Sequence, residues 1–321
     1  MSKYIVIMNQ NKSQAINRYN CKFLGIGLLF IIWALSCKAQ NNNAQLVPFK
    51  YEKNQIIVET KLNGKDQTLY MLLDTGVDPS VIDLKTAEDI GLNIQKDDEG
   101  SASGRGNSNA KVYPVSINQL MIQDQNYGDI EGLTFDMSRI EKKLGRKIHG
   151  ILGYCFLKNK IFRIDYAKKT IEFFNTIDNL ENSLSDKAKK LKFITDGEDM
   201  IPLIEDLSIN GHQFIASFDT GSSLGVQIYE HRLADVKLDT INLDKLKKSQ
   251  LYGAQGKKKT VITSLNKLTL DSNIVFKNLT LTISSIKNKE QLRMGNIGNK
   301  FLENFRVTFD FVDRAIILEN N

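Results

Sequence analysis

The chain has 321 residues, 41% hydrophobic and 25% charged, a balance that excludes wholesale disorder and fits one large or two medium folded domains. Its formal charge is +6, yet Lys3, Lys12, Arg18 and Lys22 all precede residue 38 and no acid accompanies them. Residues 38–321 then hold 39 bases against 37 acids, which leaves a nucleic-acid reading with no charge to rest on.

Residues 1–37 read as a targeting signal outside the fold. A basic polar stretch ends at Lys22, and an apolar run over 23–35 follows it. The run is short for a bilayer span and suits the hydrophobic region of a secretory signal. Cys37, after Ala34-Leu35-Ser36, resembles the acylation site of a bacterial lipoprotein box. Cleavage after Ala39 and an uncleaved anchor are the alternatives. The expectation is an exported protein of the bacterial cell envelope, lipid-anchored or periplasmic or secreted. Residues 38–45 would be a tether.

Beyond the tether the pattern is mostly strand. Gln55–Leu62 meets Asn63-Gly64, a hairpin turn signal, and 67–73 returns from it to deliver Asp74 after Met71-Leu72-Leu73. A short helix is expected over 84–90. Strands at 162–166 and Thr170–Phe174 form a closing hairpin. Residues 176–190 are polar and read as a linker. The series then begins again: a strand over 203–209, Asn210-Gly211, a return over 213–218 ending at Asp219, a helical stretch over 229–233, and a closing hairpin of 307–311 and 315–319. The domains expected are 44–175 and 191–320.

The repetition is regular. Asp74-Thr75-Gly76 recurs 145 residues on as Asp219-Thr220-Gly221, and Gly150-Ile151-Leu152-Gly153 recurs as Gly295-Asn296-Ile297-Gly298 at the same offset. Phe156-Leu157, Asn159 and Asp165 find Phe301-Leu302, Asn304 and Asp310 at 145 as well. Ile117-Asn118-Gln119-Leu120 answers to Leu265-Asn266-Lys267-Leu268 at 148, so one small length change lies between. A spacing kept through bland and chemistry-bearing positions alike implies duplication of a whole β-rich lobe.

Two aspartates brought together across a pseudo-twofold axis hold one proton between them, because neighbouring carboxylates do not both ionise cheaply. Such a pair is at once base and acid. Gly76 and Gly221 would allow a tight backbone beside the carboxylates, and the hydroxyls of Thr75 and Thr220 could brace one turn against the other.

On these residues the sequence resembles the bilobal pepsin/retropepsin-like aspartic peptidases of bacterial envelopes. The resemblance implies an all-β fold of two homologous lobes with short helices, and a water-mediated endopeptidase acting on peptide or protein substrates through Asp74 and Asp219. No cofactor or metal is implied. A monomer suffices, and membrane contact is limited to the possible N-terminal lipid. It also implies two apolar residues before a glycine beneath each turn. Ile151-Leu152-Gly153 fits; Asn296-Ile297-Gly298 departs, with Asn296 in an apolar place. Ser222 follows the second motif where Val77 follows the first. In the family a hydroxyl there bonds the adjacent carboxylate, so Asp219 is expected to ionise more readily than Asp74. A covering flap is implied too, with candidates at 100–109 (Gly104, Gly106) and 252–256 (Tyr252, Gly253, Gly256); both could equally be surface loops.

Other chemistry has little support. His149, His212 and His231 are scattered without metal or nucleophile spacing, and Cys155 reads as a small buried hydrophobe. The rival function is a non-catalytic binding or inhibitor protein on the same fold.

Overall fold

In a computed structural model of the chain, the structure describes residues 44–102, 110–196, 199–253, 256–271, 274–286 and 292–321. The targeting segment with Cys37, and Gly104 and Gly106, lie outside the described residues.

Each half of the chain builds a ten-stranded sheet on the same plan. In the first, Leu69–Leu73 lies parallel to the central strand Gly150–Leu152, which runs antiparallel to Ser80–Asp83, itself parallel to Ile130–Phe135. In the second, Ala216–Asp219 lies parallel to Gly295–Gly298, which is antiparallel to Val226–Tyr229, itself parallel to Ile274–Ser284. The central strands are short and buried on both faces, which is why they read as Gly-Ile-Leu and Gly-Asn-Ile-Gly rather than alternating. Gly150 and Gly295 open them for a steric reason. A Cβ on Gly150 would lie 2.4 Å from the Val81 carbonyl, and one on Gly295 1.9 Å from that of Gln227.

The turns follow the sequence signals. Asn63 and Gly64, and Asn210 and Gly211, all have positive φ, as the two-residue hairpin connection requires. Leu120 pairs with Leu62 and Leu268 with Ile209, so the repeat at offset 148 occupies equivalent edges of the two sheets. The 203–209 segment is not one strand. It breaks into Asp199–Ile204 and Leu207–Ile209 at the exposed pair Glu205-Asp206, where the chain changes neighbour: Ile204 pairs with Ala216, while Leu207 pairs with Leu270. The return likewise splits into His212–Gln213 and Ala216–Asp219. Helix forms at Leu84–Asp89, capped by Asp83. Residues 229–233 hold only a single 3₁₀ turn, Glu230–Arg232, and 176–190 contain a short helix, Ile177–Glu181.

A six-stranded sheet joins the halves. Its inner strands are Ile161–Asp165 and Phe305–Asp310, antiparallel, each flanked by its own hairpin partner, Thr170–Phe174 and Ala315–Asn320. Arg163 faces Thr308, 145 residues away, so the pseudo-twofold axis passes between them. Phe162 stacks on Phe309 at 5.3 Å beside it. Asp165 and Asp310 recur because each accepts turn amides of its own hairpin, Lys168 for the first and Val312 and Asp313 for the second.

Arg163, on an inner strand of this sheet, is 5% exposed, with Glu319 (1% exposed) and Glu172 within 3.4 Å. Arg306 also reaches Glu319, at 2.7 Å. Removing one partner of a buried ion pair strands the other. Arg163→Met should therefore lower unfolding stability by about 3 kcal/mol in urea denaturation. Adding Glu319→Gln should recover part of that loss, whereas additive losses would show that the two side chains are not coupled.

Candidate active site

The aspartates stand where the duplicated strands run out. Asp74 follows Leu69–Leu73 and Asp219 ends Ala216–Asp219, so each carboxylate emerges from a largely buried strand. Beyond them the chain is held by four buried hydrogen bonds across the pseudo-twofold axis. The Thr75 amide donates to Oγ1 of Thr220 at 3.0 Å, and the Thr220 amide donates to Oγ1 of Thr75 at 3.0 Å. Each hydroxyl then donates across the axis to the carbonyl before the opposite aspartate: Thr75 to Phe218 at 2.7 Å, Thr220 to Leu73 at 2.9 Å. Both threonines therefore use donor and acceptor capacity in one crossing, which serine could match and no apolar residue could.

The glycines complete the interlock. A Cβ on Gly221 would lie 1.9 Å from Oδ2 of Asp74, and one on Gly76 would lie 2.6 Å from Oδ1 of Asp219. Each glycine is thus pressed against the carboxylate of the other half, two residues from its own aspartate. The pair is brought together, and any side chain at either glycine would drive it apart. The Gly76 amide also donates to Oδ1 of Asp74 at 2.8 Å. Asp74 and Asp219 are both buried, at 9% and 3% exposure.

Support comes from below. Gly153 and Gly298 lie under the two turns: a Cβ would come within 2.7 Å of the Val77 carbonyl in the first and 2.6 Å of the Ser222 carbonyl in the second. The next amides, Tyr154 and Asn299, donate to those same carbonyls at 2.9 and 2.8 Å. Ile151, Leu152 and Ile297 are buried beside them. Ser222 is buried, its amide donating to the Asp219 carbonyl. The two flap candidates are placed by their backbones. Gly100–Ala102 pairs with Ala110–Val112 as a two-stranded hairpin. Tyr252 and Gly253 lie in Lys247–Gly253, paired with Lys257 and Gly256 across a long hairpin.

Several residues of the site are not evident in the motifs. Asn296 does more than fill an apolar place: its Nδ2 donates to Oδ2 of Asp219 at 3.1 Å. Asn299, fully buried, donates to the Thr220 carbonyl at 2.6 Å and the Asn54 carbonyl at 2.9 Å, and accepts from the Tyr166 hydroxyl at 2.7 Å. Gln55 and Asn54 reach over to the second turn, donating to the carbonyls of Gly221 and Ser223. The available signal was the polar character of Asn296 and Asn299 set against Ile151 and Tyr154, their counterparts at offset 145.

The other candidates take ordinary places. His149 accepts the Tyr70 amide on Nδ1 at 2.9 Å, and burial, helped by Lys147, lowers its pKa below the usual histidine value. His212 is exposed, and His231 stacks on Tyr229. Cys155 is only half-buried, packed against the core from a short helix, Tyr154–Leu157.

Comparisons with known proteins agree with this geometry. Residues 58–156 match the aspartyl protease family model. The fold is similar to the crystal structure of aspartic proteinase from Irpex lacteus, with a TM-score of 0.54 at 12% identity over 87% of this chain and 97% of that one. No curated protein matches the sequence. The family match covers the first aspartate turn and the segment after it, and the structural likeness shows a shared fold.

Thr75→Val would leave the Thr220 amide and the Phe218 carbonyl unpaired in the interior. It should cost about 2–4 kcal/mol in denaturant unfolding, whereas Thr75→Ser, which keeps the hydroxyl, should cost about 1 kcal/mol or less.

Proposed function

We propose that the chain is an aspartic endopeptidase in which Asp74 and Asp219 activate one water molecule for direct attack on a peptide carbonyl. The observation that carries this reading is the reciprocal packing of Gly76 on Asp219 and Gly221 on Asp74, which sets two buried carboxylates side by side. Like charges so placed share a proton. The ionised member takes a proton from the water while the protonated member donates to the carbonyl oxygen. The resulting tetrahedral diol then collapses with proton transfer to the leaving amine. No acyl-enzyme forms on this route.

Two further parts belong to the same reading. The paired strands Gly100–Ala102 and Ala110–Val112, between the first aspartate turn and the glycine beneath it, are our candidate for the base of a flap that excludes water. The layout of 1–37, with Cys37 at its end, favours action on peptides or proteins outside the cytoplasm.

Incubation with a mixed peptide library, read by mass spectrometry, tests the reading. The wild type should cut at a limited set of bonds. Asp74→Asn and Asp219→Asn should each lose about 10³-fold or more in rate while keeping the circular dichroism of the fold. A folded wild type that binds library peptides and cuts none would instead identify a non-catalytic binder.

Gly221→Ala separates geometry from chemistry, because it leaves both carboxylates in the sequence and forces Asp74 away. Its rate should fall by about 10²-fold or more, since reacting groups misplaced by an ångström lose that much. An unchanged rate would mean that the interlock is not what positions the pair.

A further inference from the structure

The two sheets share a frame but differ in one buried layer beside the aspartates. In the first half Leu72, Ile151 and Val81 sit opposite one another on adjacent strands. In the second half the same register holds Ser217, Asn296 and Gln227. All three apolar positions have become polar together, and the replacements are completely buried, at 0%, 0% and 1% exposure. A single buried polar residue of this kind would be a defect. Three that satisfy each other form a device.

The bonds run in one direction. Oδ1 of Asn296 accepts from the hydroxyls of Ser217 at 2.8 Å and Tyr229 at 3.4 Å. Its Nδ2 donates to Oε1 of Gln227 at 3.3 Å and to Oδ2 of Asp219 at 3.1 Å. Gln227 is turned the right way for this by its own Nε2, which donates to the Ser284 hydroxyl at 2.6 Å. Both amide protons and both carbonyl lone pairs of Asn296 are therefore used. A flipped amide would set its oxygen against the Asp219 carboxylate and the Gln227 carbonyl and lose both of those hydrogen bonds.

We infer that Asn296 is a positioning residue for Asp219, held by Ser217, Gln227 and Ser284 so that an N–H always faces the carboxylate. A donor to a carboxylate stabilises the charged state, so removing it must move protonation to higher pH. At the counterpart position Asp74 has Ile151, which offers no donor. Asp74 lies across the axis, and Tyr229 lies behind Asn296, with His231 stacked on its ring. The central strand Gly295–Gly298 brings none. The inference rests on the proposed catalytic pairing of the two aspartates, but its primary readout does not require activity.

The test removes the whole network with volume-conserving apolar residues, because truncating Asn296 alone would leave its partners unpaired. The variant is Ser217→Ala, Gln227→Met, Asn296→Leu and Ser284→Ala. Its Asp219 carboxyl is titrated by ¹³C NMR in an Asp74→Asn background, where Asp219 titrates without its partner. The midpoint should rise by about 0.5–1 pH unit relative to the same background with the network intact. With Asp74 restored, the acidic limb of peptide cleavage should move upward by a similar amount. If the fourfold variant does not fold, Ser217→Ala alone should give a smaller shift of the same sign. Ile228→Val, a purely packing change on the neighbouring strand, should give none. An unmoved midpoint overturns the inference whatever the activity does. A raised midpoint in a protein that cuts no peptide would keep the inference and sink the peptidase reading.

Discussion

Everything in this structure depends on the exchange of bonds between Thr75 and Thr220. Each threonine hydroxyl accepts from the other's amide and donates to the carbonyl before the other's aspartate, so neither turn is complete alone. The exchange is possible only if the two turns are copies related by a twofold axis, and the duplicated sheets and the shared six-stranded sheet supply that axis. Residues paired on it lie 145 apart at both ends, Thr75 with Thr220 and Arg163 with Thr308. The two aspartates are consequently held by the paired turns, which is the preorganisation that the proposed acid–base chemistry needs.

Symmetry of frame does not mean symmetry of environment. A shared proton can sit on either carboxylate, but attack on a carbonyl needs one defined base and one defined acid. The polar layer of Ser217, Asn296 and Gln227 lies under Asp219 only, with Leu72, Ile151 and Val81 in its place under Asp74. Buried polar groups are costly unless all are paired, and here they are paired with one another and with the carboxylate.

Much of this was legible in the sequence because the signals are local. Asn-Gly turns require positive φ, largely apolar runs lead into Asp74 and Asp219 as buried strands do, and the constant offset reveals the copied lobe. The break of 203–209 at Glu205-Asp206 was hidden, because it arises when a strand changes neighbours between two distant segments. The roles of Gln55, Asn54 and Asn299 were hidden for the same reason: each bonds a carbonyl of the other half, far away in sequence. Asn296 was visible as an exception to an apolar pattern. Its purpose became readable only when register put Ser217 and Gln227 at its sides.

The central claim is that Asp74 and Asp219 behave as one titrating unit. Carboxyl ¹³C NMR of the wild-type chain across acidic and neutral pH measures this directly. The account expects both signals to respond in the same two steps, separated by more than about one pH unit, with one proton held between them. Two independent single-step curves, each near the ordinary aspartate midpoint of about 3.9, would contradict it.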